Sequence, residues 1–398
     1  MIKKCLASFF FLLSLNTIAQ GTFTVTFFDI ETKVPIEDAR VYVNRSKENH
    51  LTNKEGAVTF TVNGPSTIEV THISYKKLTF NTKIIDKKSI EFYLEPNVKN
   101  IQEIIITQRH PQLILKDIVE NSRKQISLPA NLKVYTREFY NINDQFVYFN
   151  DGLLNFQLFK EKNKSLKTDI LIEQTRSLGL IDPLDKEVLG YDLEHLMTSY
   201  QHFNYLDFIT SRVAIGFFDY TLKSHPTNPS LLIMMIEPKK EKGGLLHQYA
   251  ITYDEKRKLI LELEIEHPSE RLEIFKVIKD HRGRNLISNK IKNLYYLSKE
   301  NHYYLLQSVE EIKFKHIKQK KEQVMQVKNM MHVLNYSTKL FAIDEKYILK
   351  QKSLINKKSM VHTPFWIDQS GSLLTVSENQ LLEKLNDAPE LYYNIYKE

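Results

Sequence analysis

Leu259-Ile260-Leu261-Glu262-Leu263-Glu264-Ile265-Glu266 decides how most of this chain is read. Leu259, Leu261, Leu263 and Ile265 alternate with Glu262, Glu264 and Glu266, and a period of two puts the apolar set on one face of a strand and the acids on the other. One face is therefore buried and one wet, as in an antiparallel sheet. Moving outward, Leu231 to Ile236, Gln248 to Tyr253, Glu273 to Lys279, Asn285 to Leu297, Tyr303 to Lys315 and Val324 to Tyr336 read as further strands. Turns of hairpin length, Asp254-Glu255-Lys256 and Arg282-Gly283-Arg284, join them. So long an antiparallel run must curl or close, and a curved half-barrel with helices in its mouth would bury its core. Charges on the strands and the non-aromatic end Tyr396-Lys397-Glu398 speak against a transmembrane barrel.

Upstream of the meander the period changes. Pro111 suits the first position of a helix, and Leu115, Ile118, Val119 and Ile126 recur at helical spacing until Pro129, which predicts a helix near 111–127. Leu132 to Asn141 and Phe146 to Phe159 read as strands, turned at Asn143-Asp144 and bulged at Gly152. Leu193, Leu196, Met197 and Tyr200 give a second helical patch. Ser377 with Gln380 forms a capping-box pattern that predicts a helix near 377–386.

The front of the chain is a separate pattern of short alternating runs: Phe23, Val25 and Phe27; Val41 and Val43; Val58, Phe60 and Val62; Ile68 and Val70; Ile90 and Phe92. With Asn53-Lys54-Glu55-Gly56 and Asn63-Gly64-Pro65 as turns, this spacing predicts a β-sandwich. The order Thr32 to Ile36, Ala39-Arg40-Val41, Thr52 to Gly56, Val70 to Tyr75, Leu94-Glu95-Pro96 and Glu103 to Thr107 resembles the carboxypeptidase regulatory-like domain. Ser74 and Asn53 stand where that family has a glycine and an acidic residue. The resemblance implies a seven-stranded, transthyretin-like sandwich at the front of an exported envelope protein, adhesive or spacing in role and not itself a peptidase. Leu115 to Tyr140, Asp151-Gly152-Leu153-Leu154 and Glu173 to Ser177 resemble the continuation found behind that domain in a group of uncharacterised envelope proteins. The pattern Gln248 to Asp254 leading into Leu259 to Ile265 is similar to the lipoprotein-carrier proteins of the envelope, whose curved sheet holds acyl chains.

Lys3 and Lys4, the apolar run Leu6 to Leu15 and Thr17-Ile18-Ala19 read as a signal peptide cut after Ala19. The expected organisation is thus a leader at 1–19, a sandwich at 21–107 and a meander domain at 111–398, in the periplasm. The sole cysteine, Cys5, falls in the leader, so the exported chain would have no thiol for a disulfide, a nucleophile or a metal. The formal net charge of +7, two of it in the leader, is a modest excess, and export makes nucleic acid a poor partner whatever that charge suggests.

The expectation is mainly β architecture and a non-enzymatic envelope adapter or binding module for a lipid, lipopeptide or envelope protein, without a cofactor. An envelope hydrolase with a site assembled from distant residues, or a plain spacer, are the alternatives. Leu261, Leu263, Ile265, Leu294 and Tyr296 are expected to line the apolar ligand face, and Lys313, Lys315, Lys318, Lys320 and Lys321 to meet an anionic surface. His195 and His202, seven apart near Asp192 and Glu194, are read as helix surface rather than as metal ligands. His247 and His267 are read as structural, and Ser370-Gly371-Ser372 as a surface turn without a nucleophile elbow.

Overall fold

A computed structural model describes residues 20–85, 89–97, 103–160, 166–179, 192–244, 246–268, 271, 285–318, 321–349, 353–355, 357 and 374–386. The leader, the strand expected at 273–279, the turn at 282–284 and the Ser370-Gly371-Ser372 loop lie outside those residues. The chain divides into two compact units, residues 1–96 with 364–375 and residues 97–363 with 376–398.

In the first unit seven strands form two sheets. They are β1 (Gln20–Asp29), β2 (Arg40–Val43), β3 (Glu48–Leu51), β4 (Ala57–Asn63), β5 (Thr67–His72), β6 (Tyr75–Asn81) and β7 (Ser89–Leu94). The sheet orders are β4-β1-β7 and β3-β2-β5-β6, with β1 and β7 parallel. Val25, Phe27, Val41, Val43, Val58, Phe60, Ile68 and Val70, the residues picked out by alternation, form one buried cluster. Local needs explain the motif residues. Gly56 has φ +71°, and a Cβ there would stand 2.4 Å from the Phe27 carbonyl oxygen. Tyr75 Oη donates to Asp29 Oδ2 at 3.0 Å, while the backbone N–H groups of Glu31 and Thr32 donate to Asp29 Oδ1.

The second unit is built on ten antiparallel strands: β8 (Ala130–Ile142), β9 (Gln145–Lys160), β10 (Leu166–Gly179), β11 (Phe218–Ser224), β12 (Leu231–Pro238), β13 (Gln248–Asp254), β14 (Leu259–Glu266), β15 (Asn285–Leu297), β16 (Tyr303–Lys318) and β17 (Lys321–Ser337). Their order is β10-β9-β8-β17-β16-β15-β14-β13-β12-β11, an open sheet with β10 and β11 at its edges. Both edges are blunted by single bridges, Ile104 to Lys223 on β11 and Leu171 to Ile348 on β10, which occupy backbone groups that a bare edge would offer to another chain. Strand β10 escaped the alternation reading because it mixes Asp169, Glu173 and Arg176 into its apolar positions; β11 lies outside that reading too.

Asn143 and Asp144 take φ +51° and +60° in the two-residue turn between β8 and β9. The bulge expected at Gly152 is instead at Glu173, where the register slips between Ile172 and Gln174. Gly152 stays in register with Thr136. It is small for another reason: a Cβ there would lie 2.6 Å from Leu354 Cδ1.

Helix α1 (Pro111–Gln125) starts on Pro111, with His110 Nδ1 accepting the Gln112 N–H, and buries Leu115, Ile118 and Val119. Helix α2 (Leu193–Gln201) buries Leu193, Leu196, Met197 and Tyr200. Helix α3 (Val376–Asn386) begins one residue before Ser377, which places Ser377 in the first turn rather than at the cap.

Candidate functional site

Directly opposed residues of an antiparallel pair share a face, so the register fixes which side chains meet. One row across six strands runs Ser177, Asn150, Glu138, Asn329, Glu310, Ile291. It lies on the face covered by α2, where Tyr295 Oη donates to the Tyr200 carbonyl at 2.9 Å and Phe203 packs on the Tyr295 ring. Leu132, Val134, Leu154 and Phe156 are buried to one side of the row. A cluster of Tyr140, Tyr148, Ile312, Phe314, Met325, Val327 and Ile355 is buried to the other.

The row is a polar stripe inside an apolar face, and it is short of donors. Glu138 is 1% exposed, Asn150 0% and Asn329 3%. Asn150 Nδ2 donates to Glu138 Oε2 at 2.5 Å, which leaves Glu138 Oε1, Asn150 Oδ1 and Asn329 Oδ1 without hydrogen-bond partners. The Tyr140 hydroxyl lies beside the carboxylate without hydrogen-bond geometry. Burial pushes Glu138 up to about 7, against the opposing pull of the Asn150 amide and the Tyr140 hydroxyl. Glu310 accepts from Tyr200 Oη at 3.5 Å. The row therefore carries two carboxylates and no cation.

One residue along each strand, the opposite face shows the reverse. Its row runs Arg176, Asp151, Arg137, Met330, Val309, Lys292. Asp151, fully buried, accepts from Arg176 at 3.1 and 2.6 Å and from Tyr135 Oη at 3.0 Å, and Arg137 Nε donates to Tyr135 Oη at 2.9 Å. Helix α3 adds Glu378, 2.8 Å from Lys328 Nζ and 3.9 Å from Arg137. Lys292 lies 3.0 Å from Glu262 and 3.7 Å from Glu264. Burial raises Asp151, and Arg176 counters it.

The residues expected to line a ligand face are divided between the two faces. Leu263 and Ile265 are buried and pair with Asn293 and Ile291, on the α2-covered face. Leu294 pairs with Glu262 and so points to the other side, as does Tyr296, two residues on, whose ring meets Tyr304 edge-on. The register slip at β13 and β14, where Thr252 pairs with Glu262 but Tyr253 with Ile260, makes Leu261 the extra residue and brings Ile260 onto the buried face. Of the lysines, Lys313 lies 3.1 Å from Asp144 and Lys315 2.8 Å from Glu322. Lys321 is exposed, Lys320 lies outside the described residues, and so does the Lys318 side chain.

His195 is exposed and its Nε2 lies 3.4 Å from Ser199 Oγ, but Asp192 caps the helix on the His195 backbone N–H instead of orienting the ring. His247 and His267 are cross-strand neighbours with ring centroids 3.8 Å apart, and burial pushes His247 down to about 4. Among the described residues no group of three or more His, Cys, Asp or Glu could hold a metal ion. No described helix is long and apolar enough to cross a membrane.

Sequence reasoning missed Glu138, Asn150 and Asn329. Glu138, Asp151 and Arg176 do sit inside the three short motifs that resembled an envelope-protein continuation, and the fold sets those motifs side by side in β8, β9 and β10. The available signal was charge placed within strands that are otherwise apolar.

No family model matches the chain, and no curated protein matches it. Solved structures do match, distantly. A DUF1329 family protein from Desulfovibrio piger is 10% identical, covers 58% of this chain and 96% of its own, and has a TM-score of 0.28. A putative outer membrane lipoprotein-sorting protein domain from Vibrio parahaemolyticus is 9% identical over 58% and 94%, also at 0.28. A LolA superfamily protein from Nitrosomonas europaea is 11% identical over 59% and 97%, at 0.21. These likenesses transfer no activity to this chain. The front-module assignment is corrected: no carboxypeptidase regulatory-like model, nor any other family model, matches the chain, and that membership is withdrawn. Gly56, Asn53 and Tyr75 meet turn and packing needs of any sandwich with these loops, so they mark an architecture and not a family.

Proposed function

We propose that the chain is a non-enzymatic envelope protein whose ten-stranded unit binds an apolar or lipidic ligand on its α2-covered face, with the sandwich serving as an adapter. The observation that carries this reading is the stripe at Glu138, Asn150 and Asn329, where oxygen atoms without partners sit between two apolar surfaces of an open sheet. Buried acceptors normally find a partner, so oxygens that lack one between two apolar surfaces suit a ligand that brings both donors and an apolar body. The leader read at 1–19 supports export to the periplasm.

Organic extracts of the full-length protein purified from an envelope fraction, analysed by mass spectrometry, test the reading. A co-purifying lipid in stoichiometric amount is expected. Leu263→Glu, which sets a further carboxylate on the same buried face, should abolish that lipid. A parent protein free of lipid that also fails to take up a neutral apolar dye contradicts the proposal.

A further inference from the structure

Resting on that reading, we infer that the stripe selects its ligand by the head group, taking an amphiphile that ends in a primary ammonium and rejecting one that ends in a carboxylate. With Glu138 ionised, the unpartnered atoms in the row, Glu138 Oε1, Asn150 Oδ1 and Asn329 Oδ1, are all acceptors, and the Tyr140 hydroxyl beside them is the nearby neutral donor. An ammonium brings three N–H donors and no acceptor, so it matches a row of acceptors and adds no new unsatisfied acceptor. A hydroxyl brings one donor and leaves two oxygens bare. A carboxylate brings none and would meet Glu138 and Glu310 in a row without a cation.

Charge on the sheet sharpens the selection. Arg176, Arg137 and Lys292, which would attract an anion, all point to the opposite face, where Asp151, Glu378, Glu262 and Glu264 already engage cations. Burial that pushes Glu138 up also means that a cation beside it restores its charged form, so head-group binding should release a proton near neutral pH. The alkyl chain runs over the apolar residues flanking the stripe and replaces Leu354 and Ile355, which now pack above Gly152 and the Tyr148 cluster.

The test uses the full chain, with a neutral naphthyl dye as reporter and dodecylamine or dodecanoate as competitor, at about pH 8, where a primary ammonium keeps its charge. Dodecylamine is expected to displace the dye at about tenfold lower concentration than dodecanoate. Glu138→Gln should shrink that gap to about twofold, and Asn329→Asp, which adds a carboxylate to the same row, should widen it. The second variant keeps the test decisive if Glu138→Gln folds poorly. Dye uptake with equal displacement by the two competitors overturns the head-group inference and leaves the apolar site standing. A gap that persists unchanged in Glu138→Gln and Asn329→Asp also overturns it. No dye uptake at all overturns both.

Discussion

The two polar rows of the ten-stranded sheet lie one residue apart on the same strands, yet they solve the burial of a carboxylate in opposite ways. Asp151 is met by the Arg176 guanidinium and the Tyr135 hydroxyl, with Arg137 and Glu378 behind them. Glu138, equally buried, is met by the Asn150 amide with the neutral Tyr140 hydroxyl beside it, and no cation shares its row. A compensated charge can hold a fold together, since removing either partner strands the other in a low-dielectric interior. An uncompensated one is a standing cost, and such costs persist where binding repays them. The comparison separates the scaffold side of the sheet from its candidate working side.

Breaking the scaffold row should have the largest effect. Arg176→Ala leaves Asp151 without its main partner and is expected to lower stability by about 3–5 kcal/mol, read from the midpoint of urea denaturation. A loss below about 1 kcal/mol would put this pair among ordinary surface ion pairs and erase the contrast. Gly152→Ala tests the covered face. Its new Cβ would push on Leu354 Cδ1, 2.6 Å away, and the cost is expected to be about 1 kcal/mol because a side-chain end can give way. The smallest stability effect belongs to charges outside both rows. Replacing Lys313, Lys315 and Lys321 by Gln should leave the urea midpoint unchanged, since the Lys313 and Lys315 pairs are solvent-exposed, while reducing cosedimentation with anionic vesicles. Vesicle binding that survives all three changes removes the anionic-surface role.

Alternation made most of the fold legible. The clean alternation of Leu259 to Glu266 predicts β14 and its neighbours because one wet face leaves a strong period of two. The same rule fails inside β14, where one extra residue at Leu261 exchanges the face of every position before it, and a bulge leaves no mark in composition. It fails more fully for β8 and β9, buried on both faces, where Tyr135, Arg137, Glu138 and Phe139 are all inaccessible and no residue signals its side. The site was hidden for a related reason. Glu138 and Asn329 are far apart in sequence and become neighbours only because β17 returns beside β8, a pairing that local patterns do not specify. The front sandwich was readable as architecture from its turns, but short turn motifs resembled a family to which the chain does not belong.

The pH dependence of stability in the parent protein and in Glu138→Gln tests the central claim most directly, that the covered-face carboxylate lacks internal compensation. With a folded-state value of about 7 against an ordinary 4.5, Glu138 holds a proton in the native state that the unfolded chain has already released. Its contribution is therefore full below pH 4.5 and is lost as pH rises through 7, amounting to about 3 kcal/mol across that window. Urea denaturation of ligand-free protein at intervals across this range should show the parent losing stability toward neutral pH relative to Glu138→Gln, with the two curves parallel above it. Curves parallel throughout, or a parent that gains on the variant as pH rises, would mean that Glu138 is as well compensated as Asp151, and the distinction between the two faces would fall.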